Sequence, residues 1–266
     1  MTFDGASTLT RLTRTLPPIS LAQVLERAEL QTRVDRKYLV PAAVCEAMLP
    51  RLGDEYAALE IRGLRRFRYS STYFDTPDLL TFRQHLQGRR RRYKIRTRAY
   101  LDSGECTFEV KLAGARDVTD KRRMPYDIAS REELDGTARD FLEDVLLTAY
   151  RMNAPDIVVP AATTAYLRST LVQRSAPGRV TLDAALTCTK EDAVVAADPG
   201  MVLIESKSER ADAPVDRILR DQGFRPVKIS KYCVAVAVLH PWMPANPWHP
   251  AMRAFFDGRG PLYEAA

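Results

Sequence analysis

Through several segments of this 266-residue chain, charged and apolar side chains alternate residue by residue, and that period of two constrains the fold more than any other feature. Arg92, Lys94, Arg96 and Arg98 alternate with Tyr93, Ile95, Thr97 and Ala99, and Glu109 and Lys111 alternate with Phe108, Val110 and Leu112. Arg179, Thr181 and Asp183 oppose Val180, Leu182 and Ala184; Glu205 and Lys207 oppose Val202, Ile204 and Ser206. Successive side chains on a strand point to opposite faces, so each segment presents one charged wall and one wall fit for packing. A single charged face is ordinarily the solvated side of an antiparallel sheet. Here the cations on 92–98 are denser than solubility requires, and like charges on one face repel. The spacing Glu-x-Lys also recurs, at Glu109–Lys111 and Glu205–Lys207. Carboxylates set among many cations suit a metal ion bound beside an anion. If these strands share one sheet, closed with its charges inward, the product is a polar tunnel for a multiply charged ligand.

The totals narrow the function classes. A hydrophobic content of 45% supports a sizeable core, in one large domain or two small ones. The formal net charge of +6 is modest, but between Leu79 and Leu101 there is no Asp or Glu, while Arg83, Arg89–Arg92, Lys94, Arg96 and Arg98 all fall there. Such a field attracts nucleic acid, anionic lipid or condensed phosphate. Cys45, Cys106, Cys188 and Cys233 form no C-x-x-C pair and read as small core hydrophobes in a reducing compartment. His85, His240 and His249 lack zinc-ligand spacing, and no Ser-His-Asp or Cys-His set supports acyl transfer. The N-terminus lacks the apolar stretch of a secretory signal, and the longest apolar run, Cys233–Leu239, is too short to cross a bilayer. The expectation is a soluble, cytoplasmic protein.

Turn and cap signals organise the rest. Residues 1–19 read as a flexible N-terminal arm ending at Pro17-Pro18, 20–240 as one domain, and 241–266 as a proline- and aromatic-rich tail. Ser20 with Gln23 predicts a capping box opening a helix to about Leu30. A strand over Thr32–Val40 is followed by a helix from Pro41 to about Leu52. Phe67–Phe74 reads as a strand, and Thr76-Pro77 starts a helix ended by Gly88. Arg90–Tyr100 and Glu105–Ala113 form a hairpin around Asp102-Ser103-Gly104. Residues 114–125 read as a charged connection and 130–150 as a helix. Strands follow at Ala162–Leu171, Arg179–Lys190 and Met201–Ser208, the last two joined at the turn Asp198-Pro199-Gly200. Pro214–Gly223 is a helix, and Lys228–Leu239 a strand or a strand entering a helix. The fold class is α+β: an antiparallel β-barrel with a charged interior and helices packed outside it. Burying many cations unpartnered is costly, so such an interior is wet or filled by an anion.

Ordered motifs carry a resemblance. They are Arg36-Lys37-Tyr38, Ser71-Thr72-Tyr73-Phe74-Asp75-Thr76, Lys94-x-Arg96-x-Arg98, Glu109-x-Lys111 and Lys121-x-Arg123, then Tyr166-x-Arg168, Arg179-Val180-Thr181-x-Asp183, Glu205-x-Lys207 and Lys228-x-Ser230-Lys231-Tyr232. Over roughly residues 30–240 the chain resembles the VTC domain, the catalytic module of the vacuolar transporter chaperone polyphosphate polymerase, within the triphosphate tunnel metalloenzyme group related to CYTH enzymes. The resemblance implies a basic tunnel, a divalent cation (Mn2+ or Mg2+), and transfer of the ATP γ-phosphoryl group onto a growing polyphosphate chain. It assigns Arg96, Arg98, Lys111 and Arg168 to catalysis and Lys37, Lys94, Lys121, Tyr166, Lys228, Ser230 and Lys231 to substrate binding. Glu205 would hold the metal, with Glu109 and Asp183 as weaker metal candidates that orient neighbouring cations. Hydrolytic relatives carry Glu-x-Glu-x-Lys on the first strand, where this chain has Arg33, Asp35 and Lys37. That departure favours the polymerase branch. Regulation by inositol pyrophosphates and export coupled to synthesis are not carried over.

Phosphoryl transfer needs alignment and neutralisation of developing charge more than covalent help. Forked, permanently charged arginines suit the transferred phosphate, and lysines suit the path of a chain. Two other readings compete: an inorganic triphosphatase of the same fold, and a non-enzymatic module binding polyphosphate or RNA through the Arg89–Arg98 ribbon. Bases would need exposed aromatics to stack on, whereas the aromatics here mostly alternate away from the charges, which disfavours nucleic acid.

Overall fold

The computed structural model describes residues 4–27, 34–114, 119–209, 212–256 and 262–263. The alternating segments become neighbours in one sheet. Its path runs β2 (Val34–Pro41), β11 (Met201–Ser208), β9 (Gly178–Lys190), β8 (Val159–Gln173), β4 (Phe67–Asp75), β5 (Tyr93–Tyr100), β6 (Glu105–Ala113) and β7 (Thr119–Tyr126), antiparallel at every step. β10 (Ala193–Ala196) and β12 (Leu262–Tyr263) extend beside β9, while β3 (Tyr56–Leu59) joins β8 and β1 (Pro18–Ile19) lies parallel to β3. Among the described residues no pairing joins β7 to β2, so the sheet is open there. The expected barrel is therefore corrected to a large open antiparallel sheet in an α+β fold.

Helices cover the apolar walls. Tyr93, Ile95, Phe108, Val110 and Leu112 pack under Ala138, Leu142, Val145 and Leu146 of α5 (Gly136–Tyr150), whose first turn is capped by the Asp135 carboxylate, 2.7 Å from Ala138 N. On the other wing, Tyr38, Val40, Val180, Leu182, Val202 and Ile204 meet α1 (Gly5–Arg14), α3 (Ala42–Leu52) and α6 (Pro214–Asp221). Each such large apolar side chain contributes about 1.5–3 kcal/mol when withdrawn from water. The cover frees the opposite face for charge: along β5 the apolar positions are buried, while Lys94, Arg96, Arg98 and Tyr100 stay partly accessible.

Several expectations hold. α2 (Leu21–Arg27) opens with the capping box, Gln23 N donating to Ser20 Oγ at 3.3 Å and Ser20 N to Gln23 Oε1 at 3.0 Å. α4 (Leu80–Leu86) stops at Gly88, whose φ of +65° suits glycine. All four cysteines are buried free thiols. No helix among the described residues is long and apolar enough to cross a membrane.

Others are corrected. The arm contains α1, whose Leu9 and Leu12 are fully buried, so that part is packed rather than loose. The charged connection contains β7, an edge strand. The strand expected to begin at Arg90 begins at Tyr93, and β10 lies between the two strands that the Asp198 turn was expected to join. Lys228–Leu239 becomes α7 (Lys231–Leu239), a helix buried along its length after Lys231. The tail also joins the core: Trp248, Phe255 and Phe256 are buried, the last two on α8 (His249–Phe256), beside α7. Thr32 and Arg33 lie outside the described residues.

α7 decides the shape of the interior. It packs among Leu39, Tyr73, Tyr166 and Leu203, which share strand faces with Lys37, Arg168 and Glu205. The helix thus occupies one end of the charged face. Asp75 fixes it there: its buried carboxylate accepts from the N–H groups of Thr81 (2.8 Å) and Phe82 (3.0 Å) in α4 and from the Tyr232 hydroxyl of α7.

Candidate functional site: a cation-lined interior

Register places the cations before any side chain is considered. Across β5, β6 and β7, Lys94 stands opposite Lys111 and Lys111 opposite Lys121; one step on, Arg96 faces Glu109, and Glu109 faces Arg123. Three ammonium groups in one cross-strand row repel one another. Burial, followed by the charges of Lys37 and Lys94, pushes the Lys111 ammonium down to about 7. Burial likewise lowers Lys121 to about 8 despite its carboxylate neighbour Glu109. Lys94 also falls below the ordinary lysine value, through burial. Lys37 on β2 and Lys94 on β5 both reach the adjacent residues Ile229 and Ser230, so the sheet curls these walls toward each other.

The carboxylates are each tied to cations. Arg96 Nε donates to Glu109 Oε2 at 2.8 Å, and Lys121 Nζ stands 3.6 Å from Oε1. Burial alone would raise the Glu109 pKa, but Arg96, Arg98 and Lys121 outweigh it and hold the group at about 2. Arg168 forks onto Asp183 with bonds of 2.6 and 2.7 Å, and the Lys231 ammonium reaches the same carboxylate. Glu205 faces Lys37 across the β2–β11 pair, and its Oε1 accepts from Lys207 Nζ at 2.6 Å; Lys207 also pairs with Asp35 at 2.9 Å. Burial opposes ionisation of Glu205, but Lys37, Lys207 and Arg168 keep it well below the usual carboxylate range.

The expected residues thus gather, with one exception. Lys37 Nζ donates to Ile229 O at 3.1 Å and Lys94 Nζ to Ser230 Oγ at 2.8 Å, so the two lysines converge on the start of α7, which Ser230 caps. Tyr166 stacks on Tyr69 (5.4 Å between ring centroids, 15° between planes), and the Arg168 guanidinium lies 5.2 Å from each ring centroid. Burial would raise the Tyr166 phenol, yet Arg168, Arg98 and Lys231 turn the balance and lower it. Stabilising a phenolate in this way marks a field favourable to anions. Among the described residues the buried Arg98 Nε finds no hydrogen-bond acceptor, an orphaned donor in the same region. Lys121, 39% exposed, sits on the edge strand at the margin of the group. Lys228 is exposed, and no hydrogen bond or ion pair ties it to the others.

The motifs had not flagged Tyr69 and Tyr73 as site residues, or the Lys207–Asp35 pair. Tyr73 Oη accepts from Arg96 Nη1 at 3.3 Å, and Arg98 lies 5.9 Å from the Tyr69 ring centroid. The signal was the period of β4: Tyr69 and Tyr73 share a face, opposite Tyr166 and Ala162.

The donor set bears on the cation. Among the described residues no three His, Cys, Asp or Glu side chains converge as a ready-made metal cage. Asp183 is occupied by Arg168 and Lys231 and does not fit a metal ligand. Glu205 fits a narrower role, a single carboxylate for a hard ion whose other ligands are phosphate oxygens and water, the usual habit of Mg2+.

Comparison with known proteins gives the family. The VTC domain profile matches residues 32–240, and the chain belongs to that family. No curated protein matches it. Solved structures similar to the chain include an adenylyl cyclase candidate from Hippeastrum described as having a dominant triphosphatase activity (12% identity, 76% of this chain and 93% of that one, TM-score 0.48). Others are an adenylate cyclase candidate from Bacillus halodurans (13%, 75% and 94%, 0.44) and the PH1012 protein of Pyrococcus horikoshii (10%, 76% and 99%, 0.39).

Proposed function

We propose that the interior binds the phosphate chain of a nucleoside triphosphate and of inorganic polyphosphate, and that the protein transfers the ATP γ-phosphoryl group onto the polyphosphate end. The supporting observation is the row Lys94–Lys111–Lys121 beside Arg96, Arg98 and Arg168, where cations exceed carboxylates and burial, with neighbouring cations second, lowers the pKa of Lys111 and Lys121. A polyanion relieves that repulsion, so binding and folding favour each other. Arg98 and Arg168 would hold the transferred phosphate, with Arg96 positioned by Glu109 and Tyr73. Lys37, Lys94 and Lys231 would line the chain. Mn2+ or Mg2+ would supply charge neutralisation between phosphates, with Glu205 as its protein ligand.

Triphosphate hydrolysis is the competing reaction. It requires an activated water, and carboxylates free to hold the metal that activates it. Asp35, which would otherwise join Glu205 in holding a water-activating ion, is paired with Lys207, which favours transfer between phosphates over hydrolysis. Incubation with ATP and Mn2+, read by gel and by phosphate release, decides. Long chains support the polymerase; phosphate released from triphosphate, with no chain, refutes it in favour of the hydrolase. Arg98→Ala and Glu205→Ala should abolish turnover in a folded protein, and full metal-dependent activity of Glu205→Ala would refute the metal assignment.

A further inference from the structure

The densest run of arginines lies outside this interior. α4 ends at Gly88, and the chain reverses before entering β5 at Tyr93, so Arg89, Arg90 and Arg91 project from the connection, all exposed. With Arg83, Gln84 and Gln87 of the preceding helical turn, and with Leu80 and Met152, they line a groove of about 560 Å3. Among the described residues none that lines it is acidic. Arg83 is the member neutralised at home, by an ion pair to Asp78.

The groove is held in shape by its own polar contacts. Arg89 Nε donates to Gln87 Oε1 at 2.9 Å, and Arg92 Nη1 donates to the Arg89 carbonyl at 2.9 Å. Tyr150 of α5 donates to the Arg92 carbonyl at 3.0 Å, anchoring the last residue of the turn. Gathering guanidinium groups on one short segment costs repulsion, and among the described residues Arg90 and Arg91 have no carboxylate partner to relieve it. Their forked donors match phosphate oxygens. The lining includes no aromatic side chain, so bases have nothing to stack upon, and an unadorned phosphate chain suits it better than RNA.

We propose that this groove is a second polyanion site, docking an inorganic polyphosphate chain on the outer surface beside α4. It shares the condensed-phosphate ligand class of the proposed function but none of its interior residues. Lys94, two residues beyond Arg92, belongs to the interior wall, so the groove flanks the end of that wall where α7 is seated.

The test uses the whole protein, with tripolyphosphate and a polyphosphate of about a hundred units as separate ligands. Arg90→Glu/Arg91→Glu should weaken the long chain by roughly tenfold or more, since phosphate contacts are strongly electrostatic, while tripolyphosphate affinity stays within about twofold. Arg98→Ala should lose tripolyphosphate, while the long chain keeps the part of its affinity that the groove supplies. Equal loss of both ligands in the double variant, or loss of neither, overturns the second site. Single-stranded RNA of matched charge that binds as tightly as polyphosphate, and is lost in the same variant, overturns the assignment to polyphosphate. Failure of Arg98→Ala to affect tripolyphosphate would instead count against the interior reading and leave the groove standing.

Discussion

The row of opposed lysines makes anion binding a proton-uptake reaction. Lys111 is held at about 7 and Lys121 at about 8, chiefly by burial and then by neighbouring cations. A bound triphosphate reverses both influences and returns the ammonium groups toward the ordinary lysine range. At pH 8 the free protein carries about 0.1 proton on Lys111 and about 0.5 on Lys121, so binding takes up about 1.4 protons, against about 0.1 at pH 6. The assay is titration calorimetry with tripolyphosphate in buffers of different ionisation enthalpy, where the slope of observed heat against buffer enthalpy counts protons. Lys111→Gln should lower that count by about 0.9 at pH 8, and because the ligand's own titration is common to both proteins it cancels in the difference. An unchanged count in the variant would mean that Lys111 takes up no proton when the ligand binds. The same depressed pKa has a sign for stability. The unfolded chain holds the Lys111 proton up to about 10.5 and the folded one only to about 7, so without ligand the folded state gains as pH rises across that window. Between pH 7 and 9 the gain from Lys111 is about 2 kcal/mol, read as the difference between the native protein and Lys111→Gln in urea unfolding.

Two further perturbations test the framework around the site. Asp183→Asn leaves Arg168 and Lys231 buried without their carboxylate and should cost about 3–5 kcal/mol in chemical denaturation, part of it recovered on adding tripolyphosphate. An undiminished stability would mean that the pair is already screened. Tyr232→Phe removes the hydroxyl linking α7 to Asp75 and Thr81 and should cost about 1–3 kcal/mol, with faster amide exchange along 231–239 than in the native protein. Unaltered exchange there would show that apolar packing alone seats the helix.

What the sequence revealed follows from where one physical signal acts alone. Period two marks β5, β6, β9 and β11 because each has one face packed and the other charged. It fails at β7, where Asp120-Lys121-Arg122-Arg123 offers no apolar alternation and Pro125 argues against a strand. As an edge strand β7 tolerates both. α7 was ambiguous because Lys231–Leu239 is apolar on every side, and a short wholly buried run has the same composition as strand or helix. α1 was hidden by threonines that weaken helix propensity, and it is held by burial of Leu9 and Leu12 against the sheet. At the site, motif spacing supplied the arginines and lysines, because parity along a strand decides which side chains share a face. It did not supply their partners: that Asp183 is bound by Arg168 and Lys231, or that Lys228 stands apart, depends on contacts between strands distant in sequence.

The basic walls are arranged to converge on one ligand, and a crystal structure of the protein with tripolyphosphate would show whether they do. Phosphate oxygens within hydrogen-bonding distance of Arg98, Lys111 and Arg168 at once, with Arg98 Nε no longer lacking an acceptor, are the predicted result. Tripolyphosphate bound only on the outer surface, with those three side chains unchanged, would contradict it.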